Sequence, residues 1–213
     1  MTGAHRLAFA QDYDALRAGF DWALPDRLNM ATQCLGGPRD REAILDLSGP
    51  MRRVATIGDL DEMSARLAGD LLSRGVVAGD RVGVLRSQDA WCAAAHLAIW
   101  RIGAISVPLF KLFQKGALHT RISDAGCRIV VTDEPGVGLL TYLADAIVPE
   151  SGLFAEPMTG LAETGPETPA CLIYTSGTTG APKGALHGHR MLTGHLLGVE
   201  MSHDFLGQRG DVL

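Results

Sequence analysis

Residues 174–184 have the sequence Tyr-Thr-Ser-Gly-Thr-Thr-Gly-Ala-Pro-Lys-Gly, and this stretch decides how the chain is interpreted. The apolar run before it, Ala170-Cys171-Leu172-Ile173, is typical of a buried strand. Glycines let the backbone turn so tightly that consecutive N–H groups converge on one anion. Hydroxyl groups add further donors, and Lys183 adds a mobile positive charge. The stretch therefore predicts a phosphate-binding loop at the end of a strand.

Other motifs that contain glycine and serine do not match this stretch. A Walker A loop needs Gly-Lys-Ser/Thr, whereas here Pro182 precedes Lys183 and Gly184 follows it. The Gly-x-Gly-x-x-Gly fingerprint of dinucleotide sites is also missing. Ser176 does not lie in a Gly-x-Ser-x-Gly elbow, so a hydrolase triad has no support. The alternative that stays open is a hydrophilic surface loop without a ligand.

Composition limits the classes of protein that fit. The chain has 213 residues, of which 46% are hydrophobic, enough for one domain or most of a larger one. A net charge of -5 argues against nonspecific nucleic-acid binding, which needs a basic surface. The longest uncharged apolar run, residues 90–100, is too short to span a bilayer, and no signal peptide is visible. None of the four cysteines is spaced as in a zinc or redox motif, so we predict a reduced, cytoplasmic protein.

Helix and strand patterns alternate from Thr56 onward, which predicts the α/β class with a largely parallel sheet flanked by helices. Thr56 and Asp59 have the spacing of a capping box at a helix start, and Gly103 is placed to end a helix over 90–102. We divide the chain into a lead-in (1–55), an α/β unit (56–132), an irregular connection with one helix near 139–147 (133–169), and a strand, phosphate loop and helix over about 189–201 (170–213).

The last residues, Val212 and Leu213, have the pattern of a strand that is just beginning. An unpaired strand start exposes backbone donors and acceptors. We therefore expect that the chain is the N-terminal part of a longer protein, or that it needs an oligomer partner.

Residues 172–184 resemble the signature of the AMP-forming adenylating enzymes, which include acyl-CoA synthetases, luciferases and nonribosomal-peptide adenylation domains. Residues 79–85 and 93–109 resemble a second block shared by that family. Around residues 107–110 and 185–190 the sequence is most similar to short- or medium-chain acyl-CoA synthetases. The resemblance implies part of the large N-terminal domain of an adenylating enzyme, without the C-terminal domain.

The resemblance also implies a two-step reaction on a small-molecule carboxylate. The carboxylate attacks the α-phosphate of ATP to give an acyl-adenylate and pyrophosphate, and the thiol of coenzyme A then displaces AMP. ATP, Mg²⁺ and coenzyme A are the implied cofactors, although we find no protein ligand for the metal. The implied hydroxyl donors to the phosphates are Thr175, Ser176, Thr178 and Thr179. Close approach of the backbone is implied at Gly177 and Gly180. Lys183 is the implied catalytic lysine, which balances the charge of the phosphates.

Several family motifs have no match in these residues. They are an aromatic-Gly-x-Thr-Glu motif, a Thr-Gly-Asp that holds the ribose, and a lysine in the mobile C-terminal domain. The isolated chain is therefore expected to be inactive, and a truncated, non-catalytic nucleotide-binding module stays open as an alternative. In a third interpretation, the same adenylating chemistry activates an amino acid, which is then transferred to the thiol of a carrier protein instead of coenzyme A.

A cluster of histidines raises the question of a metal site. These residues lie close together near the end of the chain: His187, His189, His195 and His203. No cysteine or carboxylate lies at a ligand spacing nearby. We expect histidines at helix ends and on the surface.

Overall fold

The computed structural model describes residues 12–22, 24–175 and 182–203. A six-stranded sheet has the order β6-β5-β3-β4-β7-β8, with all neighbours parallel except the antiparallel pair β7 and β8. A separate antiparallel pair is formed by β1 and β2. The strands are β1 (Glu42–Asp46), β2 (Arg53–Thr56), β3 (Arg81–Leu85), β4 (Ile105–Pro108), β5 (Ile129–Thr132), β6 (Asp145–Ile147), β7 (Pro169–Thr175) and β8 (Lys183–Gly188). The predicted, largely parallel sheet is confirmed.

Helices connect these strands and flank the sheet. They are α1 (Tyr13–Ala18), α2 (Met30–Cys34), α3 (Ile57–Ser73), α4 (Ala90–Ile102), α5 (Lys115–Ala125), α6 (Glu134–Leu140) and α7 (Met191–Ser202), with a 3₁₀ turn at Pro149–Ser151. Within the described ranges, no helix combines the length and the apolar character needed to cross a bilayer.

Local signals set the ends of α3 and α4. The Thr56 hydroxyl accepts a hydrogen bond from the Asp59 amide (3.1 Å), and the Asp59 carboxylate accepts one from the Thr56 amide (2.8 Å). This is the predicted capping box. Gly103 ends α4 with a φ of 78°, a left-handed conformation that glycine adopts without strain.

The core lies on both faces of the sheet. Ile129 and Val131 of β5 belong to an apolar cluster with α3 and α4, whereas Val130 belongs to a second cluster with α5. Successive strand residues point to opposite faces. Helices α4 and α5 therefore cover opposite faces, as expected for a doubly wound sheet.

One expectation about the second half is wrong. The helix expected near 139–147 is instead α6, which ends at Leu140, and residues 145–147 form β6 beside β5. Helix α6 begins earlier because the Asp133 carboxylate caps it, accepting from the Gly136 amide at 3.1 Å, and Pro135 suits a first helical turn. The helix expected over about 189–201 is present as α7, which begins at Met191, after strand β8 (Lys183–Gly188).

Candidate functional site

The carboxyl ends of the parallel strands form one edge of the sheet, and β7 reaches this edge at Thr175. Because β8 runs antiparallel to β7, its first residue, Lys183, lies at the same edge. The register pairs Thr175 directly with Lys183. In open α/β sheets, ligands bind in the crevice outside the carboxyl ends of the strands. Two of the predicted site residues therefore meet at the edge where a ligand is expected.

Thr175 and Lys183 are both exposed, and side chains of directly opposed strand residues point to the same side. In the part of the chain that the structure describes, no ion pair involves Lys183. An exposed ammonium group at this edge can attract an anion. The remaining predicted site residues lie outside the described residues: Ser176, Gly177, Thr178, Thr179 and Gly180.

Strand β7 is fixed in the middle of the molecule by two side chains on neighbouring elements. The Trp100 indole donates to the Ala170 carbonyl (2.9 Å), and the Ser106 hydroxyl donates to the same oxygen (3.3 Å). Ala170 is fully buried. The strand that leads to Thr175 is therefore held by α4 and β4 before it reaches the edge.

Sequence reasoning missed a polar cluster along the same edge. Lys111, just beyond β4, contacts both carboxylate oxygens of Asp133 (3.0 and 2.9 Å) and the Ser87 hydroxyl (3.2 Å). Burial tends to raise the pKa of Asp133, but hydrogen bonds from Lys111 and Ser87 outweigh it, so the pKa lies below its usual value. Ser87, Lys111 and Asp133 each follow a different parallel strand. This placement is the signal in the sequence from which the cluster could have been predicted.

A buried arginine lies beside this cluster. The Arg86 guanidinium, whose side chain is 0% exposed, donates to Glu150 (2.5 and 3.1 Å), to Asp89 (2.9 Å) and to the Thr132 carbonyl (2.6 Å). A buried charge requires such compensation, since leaving it unpaired costs several kcal/mol, about 3–5. Arg86 therefore ties the end of β3 to the end of β5 and to the 3₁₀ turn.

The histidines do not form a metal site among the described residues, where no group of three or more His, Cys, Asp or Glu side chains is arranged to hold a metal. The expectation of surface or helix-end positions is wrong for His189, which is fully buried. Its Nδ1 accepts a hydrogen bond from the Met30 amide at 3.1 Å. Burial lowers the pKa of His189 to about 4, so the ring is neutral at physiological pH.

The four cysteines are free thiols, and Cys92, Cys127 and Cys171 are buried in the core. A cavity of about 660 Å³ lies elsewhere, between the β1–β2 pair and the starts of α3 and α4. Its lining includes neither Thr175 nor Lys183. Cavity size therefore does not point to the predicted site, whose two described residues are instead paired at the edge of the sheet.

The chain is similar in sequence to known proteins. The family model for AMP-binding enzymes matches residues 30–213. Acetyl-coenzyme A synthetase 2 of Zygosaccharomyces bailii is 32% identical over 236 residues, covering 89% of this chain and 34% of that protein. Nonribosomal peptide synthetase 30 of Fusarium vanettenii is 33% identical over 163 residues, covering 74% of this chain and 3% of that protein.

A solved structure has the same fold as this chain. The Brucella canis acyl-CoA synthetase superposes with a TM-score of 0.78 at 26% identity, covering 90% of this chain and 40% of that one. The chain spans about a third of the length of the acetyl-coenzyme A synthetases that it matches. With the family model covering most of its length, the chain belongs to the AMP-binding enzyme family.

Proposed function

We propose that this chain is part of an AMP-forming acyl-CoA ligase that activates a small carboxylate with ATP. The observation that carries the proposal is the pairing of Thr175 with Lys183 at the carboxyl edge of the sheet, where the two strands flank the signature loop. The relatives named acetyl-coenzyme A synthetase, at about 30% identity, support the ligase class. They also make short carboxylates the first substrates to test.

In this proposal, Thr175 and Lys183 contribute to binding the β- and γ-phosphates of ATP. Negative charge builds up on the departing pyrophosphate as the carboxylate attacks the α-phosphate. Donors that are fixed in place before the reaction stabilise that charge without reorganising. Each hydrogen bond to a charged group contributes roughly 1.5–3 kcal/mol. Lys183 is suited to this task because, among the described residues, it is not engaged in any ion pair.

Mg²⁺ and coenzyme A complete the proposed reaction. Since the described residues hold no metal-binding cluster, we expect Mg²⁺ to arrive on the phosphate oxygens of ATP. The thiol of coenzyme A is the proposed acceptor of the acyl group, on the strength of the relatives' names. The cytoplasmic location stays a prediction, based on the four free thiols.

The test is carboxylate-dependent exchange of labelled pyrophosphate into ATP, measured on the intact gene product with a series of short fatty acids. Lys183→Ala should slow the exchange by roughly tenfold or more, the effect of losing one charged hydrogen bond. Lys183→Arg should keep part of the rate because it keeps the charge. Lys115→Ala, which removes an exposed lysine at the start of α5, is the matched control. No exchange with any carboxylate would contradict the proposal.

A second candidate function differs in the acceptor of the activated group. The similarity to nonribosomal peptide synthetase 30 favours an adenylation domain that loads a carrier protein. Exchange that depends on amino acids, with acyl transfer to a carrier thiol and none to coenzyme A, would favour this candidate. Transfer to coenzyme A would favour the ligase.

The 213-residue chain alone is a separate question, since it spans about a third of the length of its relatives. We expect it to bind ATP weakly and to be a non-catalytic nucleotide-binding module without the remainder of the enzyme or an oligomer partner. Turnover by the purified chain would refute that expectation.

A further inference from the structure

Tyr174 connects the candidate site to a helix on one face of the sheet. It directly precedes Thr175 in β7, and its hydroxyl donates to the Asp124 carboxylate of α5 at 2.5 Å. Its ring is buried in the apolar cluster that contains Leu118 and Ile122 of the same helix. The last turns of α5 therefore hold the end of β7 both by packing and by a charge-assisted hydrogen bond.

Gly184 provides the matching feature on β8. The register pairs it with Tyr174, just as Lys183 is paired with Thr175. A Cβ on Gly184 would lie 2.9 Å from a Leu172 methyl and 3.4 Å from two atoms of the Tyr174 ring. The distance to the ring is an ordinary van der Waals contact, and the close approach is to the flexible Leu172 side chain, so the Tyr174 ring packs against β8 at Gly184. The ring consequently contacts both strands one residue before the candidate site.

The alternating direction of side chains along β7 and β8 places Tyr174 on one face of the sheet and the candidate site residues on the other. Because successive strand residues point to opposite faces, Tyr174 faces α5 while Thr175 and Lys183 face the other way. A shift of Tyr174 would therefore be transmitted to Thr175 through the backbone of one residue. Burial, together with Asp124, raises the pKa of Tyr174, so its hydroxyl remains a donor at physiological pH.

We propose that Asp124 and Tyr174 form a positioning group that sets the placement of Thr175 and Lys183 for phosphate binding. This inference rests on the proposed function, because it assumes that the two residues bind the phosphates of ATP. In this proposal neither residue contacts the substrate. Asp124 acts on Tyr174, and Tyr174 acts on the strand end.

The first test measures ATP binding by the 213-residue chain with Mg²⁺ present, from titrations followed by the amide NMR signals of Thr175 and Lys183. Tyr174→Phe and Asp124→Ala should each raise the Kd for ATP by about three- to tenfold, since part of one hydrogen bond's energy reaches the site. The double variant should be no worse than either single variant, because both remove the same interaction.

Two further variants separate positioning from general stability. Asp124→Asn keeps an acceptor oxygen for the Tyr174 hydroxyl and should restore the Kd to within about twofold of the wild type, as expected where one hydrogen bond sets the effect. Tyr142→Phe makes the same chemical change at a fully exposed tyrosine and should leave the Kd unchanged. Thermal melting of each variant reports stability independently of the Kd.

The outcomes distinguish this inference from the proposed function. Unchanged Kd values in Tyr174→Phe and Asp124→Ala, whatever their melting temperatures, overturn the positioning group, and so does a wild-type chain that binds no ATP. Additive losses in the double variant also overturn it. The ligase proposal fails instead on the absence of carboxylate-dependent exchange by the intact gene product.

Discussion

Replacing His189 with asparagine should remove an acid-sensitive contribution to stability. The imidazole Nδ1 accepts from the Met30 amide, and the ring is fully buried, so folding requires the neutral form. Burial lowers the pKa from 6.5 to about 4. Asparagine places an oxygen near the position of Nδ1 and does not titrate, so His189→Asn keeps an acceptor for the Met30 amide while removing the proton-binding group.

The size and sign of the effect follow from that shift. Each unit of pKa difference corresponds to about 1.36 kcal/mol, so the contribution of His189 is about 3 kcal/mol at most. Between pH 6.5 and about 4, the unfolded chain binds a proton that the folded chain excludes. The free energy of unfolding should therefore fall as the pH drops through this window, and the contribution is fully present above pH 6.5.

Urea unfolding followed by circular dichroism, at a series of pH values from 7.5 to 4, roughly the range in which a histidine shifted in this way titrates, measures the difference. The wild type should lose about 3 kcal/mol more than His189→Asn across the window. His119→Asn, which removes an exposed histidine of α5, is the control and should follow the wild type. Parallel pH profiles for the wild type and His189→Asn would refute the reasoning.

Three substitutions test helix capping, close packing and charge pairing by chemical denaturation. Thr56→Ala removes the cap of α3 and should cost about 1 kcal/mol, and an unchanged midpoint would contradict the cap. Gly69→Ala should cost about 1–3 kcal/mol or more, because its Cβ would lie 1.9 Å from the Glu156 carbonyl oxygen; a neutral result would mean that this backbone yields easily. Glu150→Ala leaves buried Arg86 with fewer acceptors and should cost about 1–3 kcal/mol, with Glu150→Gln milder; equal losses would refute a charge-based role.

Elements that depend on local signals were predicted well from the sequence. The capping box at Thr56 and the left-handed Gly103 mark helix ends through contacts within a few residues. Helix α4 is apolar nearly all round, and its predicted range, residues 90–102, matches the structure. Such signals need no knowledge of the tertiary fold, since capping and periodicity act over one or two turns.

Elements that depend on distant partners were missed. Strand β6 has three residues and β8 begins with Lys183-Gly184, so neither carries an apolar run; each is defined by the strand beside it. The burial of His189 depends on a partner 159 residues away, and the Tyr174–Asp124 contact spans 50. Contacts between residues at such separations leave no periodic signal in a single sequence.

The bond from the Met30 amide to His189 has a consequence for synthesis on the ribosome. The donor is translated 159 residues before its acceptor. At roughly 5–20 residues per second, about 8–30 s pass between the two. During that interval, water must hydrate the first turn of α2, and the nascent helix lacks a contact that the finished protein provides.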